Sequence, residues 1–428
     1  MRLPKVLKQF MAQSAAWTAL CYATVAVCRF ILHWGFPYNY PFMPFLGLFA
    51  DFREFFWKLF YFHSHEFFHQ QPLMMYPATL AVCLKFFMLL PGSHEHPKFV
   101  IVRFLCVIFL TFLVMLLSVR KALIRRGLQP RAATAFLVVT WVCSFPFLFE
   151  VYQLNMEFVV WVALMIGLWA VWTDRPWIAG AFIGIAGAMK FFPFIFLGLL
   201  LVRKQYWQVI LGPIVAALIT VPCLWLVCPD VGYSYRQFNA AVAHFGPSYM
   251  LHLKPLESGF DHSLFCLIKR LFPTLPQPET LAHILMAYML TVAIGGTILF
   301  FVRIWKLPAV NQILCLSIAA ILLPPTSYEY TLLHLYAPFV LLAFVALEQD
   351  AKDSSTSLSR GLPLAFGLLA FVLSIQSEFI FHSNRFAGQL QSVALVALWA
   401  VALAYPFELG PPAGTPSAVA EEQPVSIG

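Results

Sequence analysis

The chain has 428 residues, of which 61% are hydrophobic and only 11% charged, with 44 Phe and a net charge of +8. Soluble domains carry about 25% charged residues, so a water-soluble enzyme is excluded, and the positive balance points to loops facing anionic lipid and not to nucleic acid. The nine Cys are scattered, mostly within apolar runs, and form no CxxC pair, so they read as small core residues without a disulfide framework.

The apolar runs approach or exceed the roughly 20 residues that cross a bilayer. Backbone groups in lipid must be satisfied internally, so these runs are helices, and the alternating ten-residue strands of a barrel are missing. The first run, 14–35, follows Arg2, Lys5 and Lys8 and is closed by no small-residue cleavage site, so it reads as a span and not as a signal peptide. Residues 73–91 are interrupted by Pro77 and Lys85. A full crossing there would carry the basic cluster at 120–131 outside, so the segment is expected as a helix embedded near the external face. Spans follow at 98–119, 132–149 and 156–172. Residues 177–202 have basic signals at both ends (Arg175, then Arg203 and Lys204), which one crossing cannot satisfy. Lys190 and Pro193 lie between them, and two short helices, 177–190 and 193–202, are expected to meet at the Lys-Phe-Phe-Pro corner. Spans at 206–228 and 280–302 enclose a long external loop, and 308–325, 331–348, 361–379 and 388–406 follow. The expectation is an all-α polytopic membrane protein, a bundle of roughly 10–13 transmembrane helices with both termini cytoplasmic. Residues 1–408 form one membrane domain, with 349–360 a solvated linker and 409–428 a disordered tail.

This topology gathers the unusual polar groups on the external side: Asp51 and Arg53, then Glu150, Gln153 and Asn155, the Lys190 corner, the 229–279 loop, and Thr326 to Tyr330 with Glu329. Ionisable groups at membrane depth are costly and usually functional. A carboxylate, a buried cation and a lipid-facing pocket suit glycosyl transfer from a polyprenyl-phosphate sugar. The carboxylate activates the acceptor hydroxyl, and Lys190, Arg53 or Arg236 stabilises the leaving lipid phosphate. Lys190 has a second reading, as the partner of Glu150 or Glu157 in an ion pair that only joins helices. No GxGxxG or Walker motif is present, and the activated donor needs no nucleotide fold. No DxD is present either, and a monophosphate can be held by basic side chains, so neither a metal nor another cofactor is expected. His65-Glu66-Phe-Phe-His69 matches HExxH, yet no third-ligand motif follows, and a structural or acceptor-binding role suits His63, His65 and His69 better. A polytopic transporter is the rival class, because broken helices and a buried Lys suit it; the lack of repeat symmetry between the halves argues against it.

Several stretches resemble a family. They are Asp51-Phe-Arg53-Glu-Phe-Phe with Tyr76-Pro77, Tyr152-Gln153-Leu-Asn155, Arg175-Pro-Trp177 through Ala-Met-Lys190-Phe-Phe-Pro193 to Arg203-Lys204, His262-Ser263-Leu, and Pro324-Pro-Thr-Ser327-Tyr-Glu329. Over about residues 10–405 the chain resembles glycosyltransferase family 87, the polyprenol-phosphate-mannose-dependent mannosyltransferases. The resemblance implies a GT-C fold whose external loops form the active site. It implies transfer of a hexose, mannose, from a polyprenyl-phosphate sugar to a lipid- or glycan-linked acceptor hydroxyl, with inversion, in glycolipid biosynthesis of the cell envelope. It places the chain in the cell membrane, a bacterial inner membrane. The acidic base of the first external loop maps onto Asp51. Arg53, Tyr76, Gln153, Asn155, Lys190, Arg236, His262, Glu329 and Tyr330 are the candidate donor-phosphate and substrate-binding residues. Family members often carry His after the Trp/Tyr-Glu pair; Tyr330 and Thr331 stand there in this chain, so no histidine role carries over.

Overall fold

A computed structural model describes residues 3–27, 52, 56–69, 77–89, 97–245, 250–251, 261–272, 276–351, 361–374 and 387–409. Helices account for its regular structure, apart from one isolated antiparallel bridge between Asp261 and Tyr328. The α-helices are α1 (Lys5–Ala26), α2 (Glu66–His69), α3 (Ala78–Met88), α4 (Pro97–Arg125), α5 (Pro130–Leu137), α6 (Phe145–Gln153), α7 (Glu157–Trp172), α8 (Pro176–Met189) and α9 (Leu197–Val202). They continue with α10 (Tyr206–Val227), α11 (Val231–Phe245), α12 (Leu264–Arg270), α13 (Pro278–Val302), α14 (Ala309–Leu322), α15 (Tyr336–Ala351), α16 (Gly361–Ser374) and α17 (Ala387–Ala404). The chain is thus an all-α polytopic membrane protein. The proposed tail beyond Leu409 lies outside the described residues, and α15 runs to Ala351, further than the span expected to end at 348.

Exposure separates lipid-facing helices from central ones. On α10, Ile210, Ile214, Leu218, Val221 and Trp225 form an exposed stripe at helical spacing. On α13, Met286, Leu290, Ile294 and Ile298 do the same, and α4 presents Val102, Phe109, Leu113 and Leu117. Apolar stripes of that length are stable only against hydrocarbon or another protein. By contrast, α14 is buried from Val310 to Leu322, and the helical stretch Glu329–Ala351 is 89% buried in its apolar window. Phe10 of α1 packs against Phe136, Phe339 and Phe366, with ring centroids 6.3, 4.9 and 5.5 Å away, so α1, α5, α15 and α16 share one aromatic core.

Among the described residues, four helices are long and apolar enough to span by themselves: Lys98–Arg125, Tyr206–Val227, Pro278–Lys306 and Glu329–Ala351. Pro130–Val142 and Phe145–Gln153, bent by 51°, make a fifth if they count as one span. The described residues hold seven further apolar helices of 10–17 residues. The span expected at 132–149 is therefore broken. Residues Val138–Val142 widen into a π-turn, Ser144 is extended, and Pro146 in the first turn of α6 withholds a backbone N–H. The break is filled from across the core: Tyr336 stacks on Trp141 at 4.8 Å and hydrogen-bonds to Ser144.

The α8 region follows the sequence expectation closely. α8 ends at Met189, Lys190 is extended, and a 3-10 turn, Phe192–Phe196, begins with Pro193 near its start before α9 completes the pair. Gly187 makes this fold-back possible, because a Cβ there would lie 2.5 Å from the Phe194 ring. α8 also lies backbone to backbone on α10. A Cβ on Gly180 would meet the Gln208 carbonyl at 2.5 Å, and one on Gly184 would overlap the Gly212 carbonyl; small residues permit such approach between membrane helices. At the far end of α8, Arg203 donates to the Val171 carbonyl and lies 3.8 Å from Asp174. Trp172, Pro308, Val310 and Phe407 line one cavity there, so the ends of α7 and α17 and the start of α14 meet at the basic end of the bundle.

Candidate active site

The opposite end of α7 and α8 holds a buried charged cluster. α6 stops at Gln153 because Leu154 adopts a left-handed conformation, φ 54°, while its N–H still reaches the Glu150 carbonyl at 2.8 Å. Asn155 then caps α7, its side-chain oxygen accepting the Glu157 N–H at 2.8 Å. This places the Glu157 carboxylate in the first turn of an apolar helix, where the helix dipole favours an anion, and its side chain is 0% exposed. One oxygen pairs with the Lys190 ammonium. The other lies 2.6 Å from His334 Nε2; a carboxylate only accepts, so Nε2 carries the proton. His334 Nδ1 is buried without a hydrogen-bond partner among the described residues. Lys190 is the accessible member, its side chain 20% exposed. Its ammonium lies 5.2 Å from the centre of the Tyr330 ring, and the Phe192 ring closes over His334 at 4.9 Å.

Tyr330 and His334 belong to a 3-10 turn, Glu329–Leu335, that leads into α15. A short loop, 261–263, fixes the entry to this turn. Asp261 Oδ1 accepts the N–H groups of Ser263 and Ser327 at 2.9 and 3.0 Å. The His262 N–H donates to the Ser327 carbonyl at 2.9 Å, and its Nε2 is hydrogen-bonded to Ser327 and Thr331 at 3.2 and 3.1 Å. α17 closes the third side: Ser392 donates to the His262 carbonyl at 2.8 Å and Gln391 to Glu329 at 3.3 Å. Burial pushes the Asp261 carboxyl above its ordinary value, against the pull of Lys269 and the two N–H bonds. Burial also drives His262 down to about 3, so this imidazole is neutral at physiological pH.

The structure thus brings together five of the residues expected from sequence. Lys190 and Tyr330 touch directly; Asn155 acts through Glu157; His262 and Glu329 anchor the turn that carries Tyr330. Of the two carboxylates weighed for Lys190, the partner is Glu157. Gln153 closes α6. Arg236 stands exposed on α11, which packs through Tyr233 against the rings of His65 and Phe68. Asp51, Arg53 and Tyr76 lie outside the described residues. Of the HExxH residues, α2 covers Glu66–His69 and leaves His65 before the helix, against Tyr233 at 4.4 Å. His63 is tied to the end of α10, its N–H donating to the Val227 carbonyl at 2.7 Å. Among the described residues, no three His, Cys, Asp or Glu side chains gather as metal ligands do. Sequence reading missed the central place of Glu157 and the whole of His334. Glu157 was legible as a carboxylate opening an apolar run beside Asn155. His334 had no such signal, because its position depends on a 3-10 turn that the apolar pattern does not reveal.

A family model, glycosyltransferase family 87, matches residues 74–327. The matched stretch includes Asn155, Glu157, Lys190 and His262; Asp51 precedes it, and Glu329 to His334 follow it. No curated protein and no solved structure matches the chain. The match covers more than half of a helical membrane protein, and the chain belongs to glycosyltransferase family 87.

Proposed function

We propose that this membrane glycosyltransferase moves a hexose, mannose on the family resemblance, from a polyprenyl-phosphate donor to a hydroxyl of a lipid- or glycan-linked acceptor, with inversion. The reaction faces the external side of a cell membrane, a bacterial inner membrane, with both chain termini cytoplasmic. The observation that carries the reading is the Lys190 corner: a partly exposed ammonium at a chain break among apolar helices, backed by a buried carboxylate. A cation so placed suits a phosphate arriving on a lipid chain. Asp51 takes the proton of the acceptor hydroxyl, whose oxygen attacks the anomeric carbon. The bond from that carbon to the phosphate oxygen breaks, its electron pair stays on the phosphate, and Lys190 stabilises the charge. The transfer needs no divalent cation, because basic side chains hold a monophosphate.

The test is transfer of labelled mannose from a polyprenyl-phosphate mannose to extracted membrane lipids by purified protein. Asp51→Asn keeps the shape and removes the base, so turnover should fall at least about a hundredfold with unchanged expression. Near-normal turnover would remove Asp51 from the role, and activity lost in chelator but restored by Mg²⁺ would overturn metal independence. Flux of an intact substrate across liposomes without transfer would favour a transporter.

A further inference from the structure

Transfer changes the charge on the phosphate. The donor is a phosphodiester with one negative charge; once the bond to the sugar breaks, the product monoester carries up to two. A lone lysine facing the lipid phosphate would therefore hold the product more tightly than the substrate, and release would limit turnover. Lys190 does not stand alone. Glu157, fully buried, sits behind it and pairs with the ammonium, while His334 holds the other carboxylate oxygen at 2.6 Å and fixes its direction. Asn155 pins the backbone of the same residue. The anion cannot turn away, and the ammonium is the member that an incoming phosphate reaches.

We propose that Glu157 is a positioning residue that competes with the lipid phosphate for Lys190, and thereby sets product release. The inference rests on the phosphate reading of Lys190. Like charges on either side of one ammonium repel each other, and the repulsion grows as the phosphate gains its second charge. Glu157 thus weakens the product more than the donor and recaptures the ammonium as polyprenyl phosphate leaves. His334 keeps the carboxylate in place while Lys190 is shared, and the Phe192 ring over the imidazole shields it.

Glu157→Gln tests this, because the amide oxygen still accepts from His334 while the charge and the acceptor that face Lys190 are lost. The probe is a short-chain polyprenyl monophosphate, measured by direct binding and as a product inhibitor of transfer. The variant should bind the probe about tenfold more tightly, with KM for the donor and kcat both lowered. A purely structural carboxylate would instead give weaker or unchanged binding and a raised KM, and that result overturns the proposal. Lys190→Gln separates the two layers. If it binds the probe as the wild type does, the phosphate reading of Lys190 fails, and the inference with it; if it binds weakly while Glu157→Gln does not tighten, only the inference fails. Should Glu157→Gln fail to reach the membrane, Glu157→Asp decides. It withdraws the charge by one methylene and should lie between wild type and the Gln prediction, whereas unchanged or weaker binding overturns the proposal.

Discussion

His262 shows how a single buried residue couples fold and pH. Its imidazole is 0% exposed, held through Nε2 by Ser327 and Thr331, and burial lowers it from 6.5 to about 3. A folded value below the unfolded one means that, as pH falls through 6.5, the unfolded chain takes up the proton first. The stability that this histidine contributes is therefore complete above pH 6.5 and is lost progressively toward pH 3, at about 1.4 kcal/mol per unit. Asp261, raised by burial, works in the opposite direction as pH falls toward its ordinary 3.8. Comparison with His262→Asn isolates the histidine. Thermal unfolding in detergent at pH 7.5 and pH 5 should show the wild type losing about 2 kcal/mol more than the variant; equal losses would mean that His262 is not buried neutral. The residue also shows what sequence could and could not reveal about the site. Lys190 and Glu329 stood out as polar groups beside apolar spans and His262 through the family resemblance, and all three prove buried or half-buried at the site. That His262 bonds to Ser327 and Thr331 was not legible, since those contacts join residues more than 60 positions apart across loops with no periodic pattern.

At the scale of elements, the site depends on how closely α8 lies on α10. Gly184 and Gly212 let the two backbones meet, and the Lys190 corner extends directly from the end of α8. Gly184→Ala adds one methyl where the Gly212 carbonyl already sits, and should cost about 1–3 kcal/mol while pushing α8 away from its partner. Gly295→Ala on lipid-facing α13 is the control: a Cβ there meets nothing within 4 Å, and helix propensity favours Ala by about 1 kcal/mol. Melting temperature and transfer rate measured together check both. Gly184→Ala should lower the two jointly, and Gly295→Ala should leave transfer unchanged; an unaffected Gly184→Ala would show that the contact does not position the corner. The same elements explain what was legible in the fold. The corner at 190–193 was readable because Pro, Lys and the flanking basic turns each carry a local signal. The break at 138–144 was not, because Tyr336, nearly 200 residues away, fills it. Hydropathy marks apolar runs and not the 3-10 and π-turns that interrupt them, so the division of those runs into shorter helices was not legible.

The whole molecule has two ends of different chemistry. At one, Arg203 caps the α7 terminus and donates to the Val171 carbonyl, Arg175 lies over Trp169 at 5.3 Å, and Arg303 donates to the Leu403 carbonyl at 2.9 Å. Arg203 and Arg303 sit on helix C-terminal carbonyls, where the dipole favours them, and cytoplasmic loops are where membrane proteins retain positive charge. At the other end, Glu157, Lys190, Tyr330 and His334 meet about 20 Å along α8 from Arg175 at 1.5 Å per residue. Activated lipid-linked sugars that work outside the cell are read at the outer leaflet, so the proposed chemistry requires the Lys190 end to face out. α10 connects the two ends with 22 residues, and an exposed position beyond each terminus reports its side. Lys204→Cys lies in the turn before α10, and Asn239→Cys on α11 after it; both positions are exposed. In intact cells, a membrane-impermeant maleimide should label Asn239→Cys and leave Lys204→Cys unmodified, and in inverted vesicles the pattern should reverse. Labelling of both from one side would mean that α10 does not cross. The reverse pattern in cells would place the Lys190 cluster in the cytoplasm and with it the reaction, so that the donor would have to be presented on the inner leaflet.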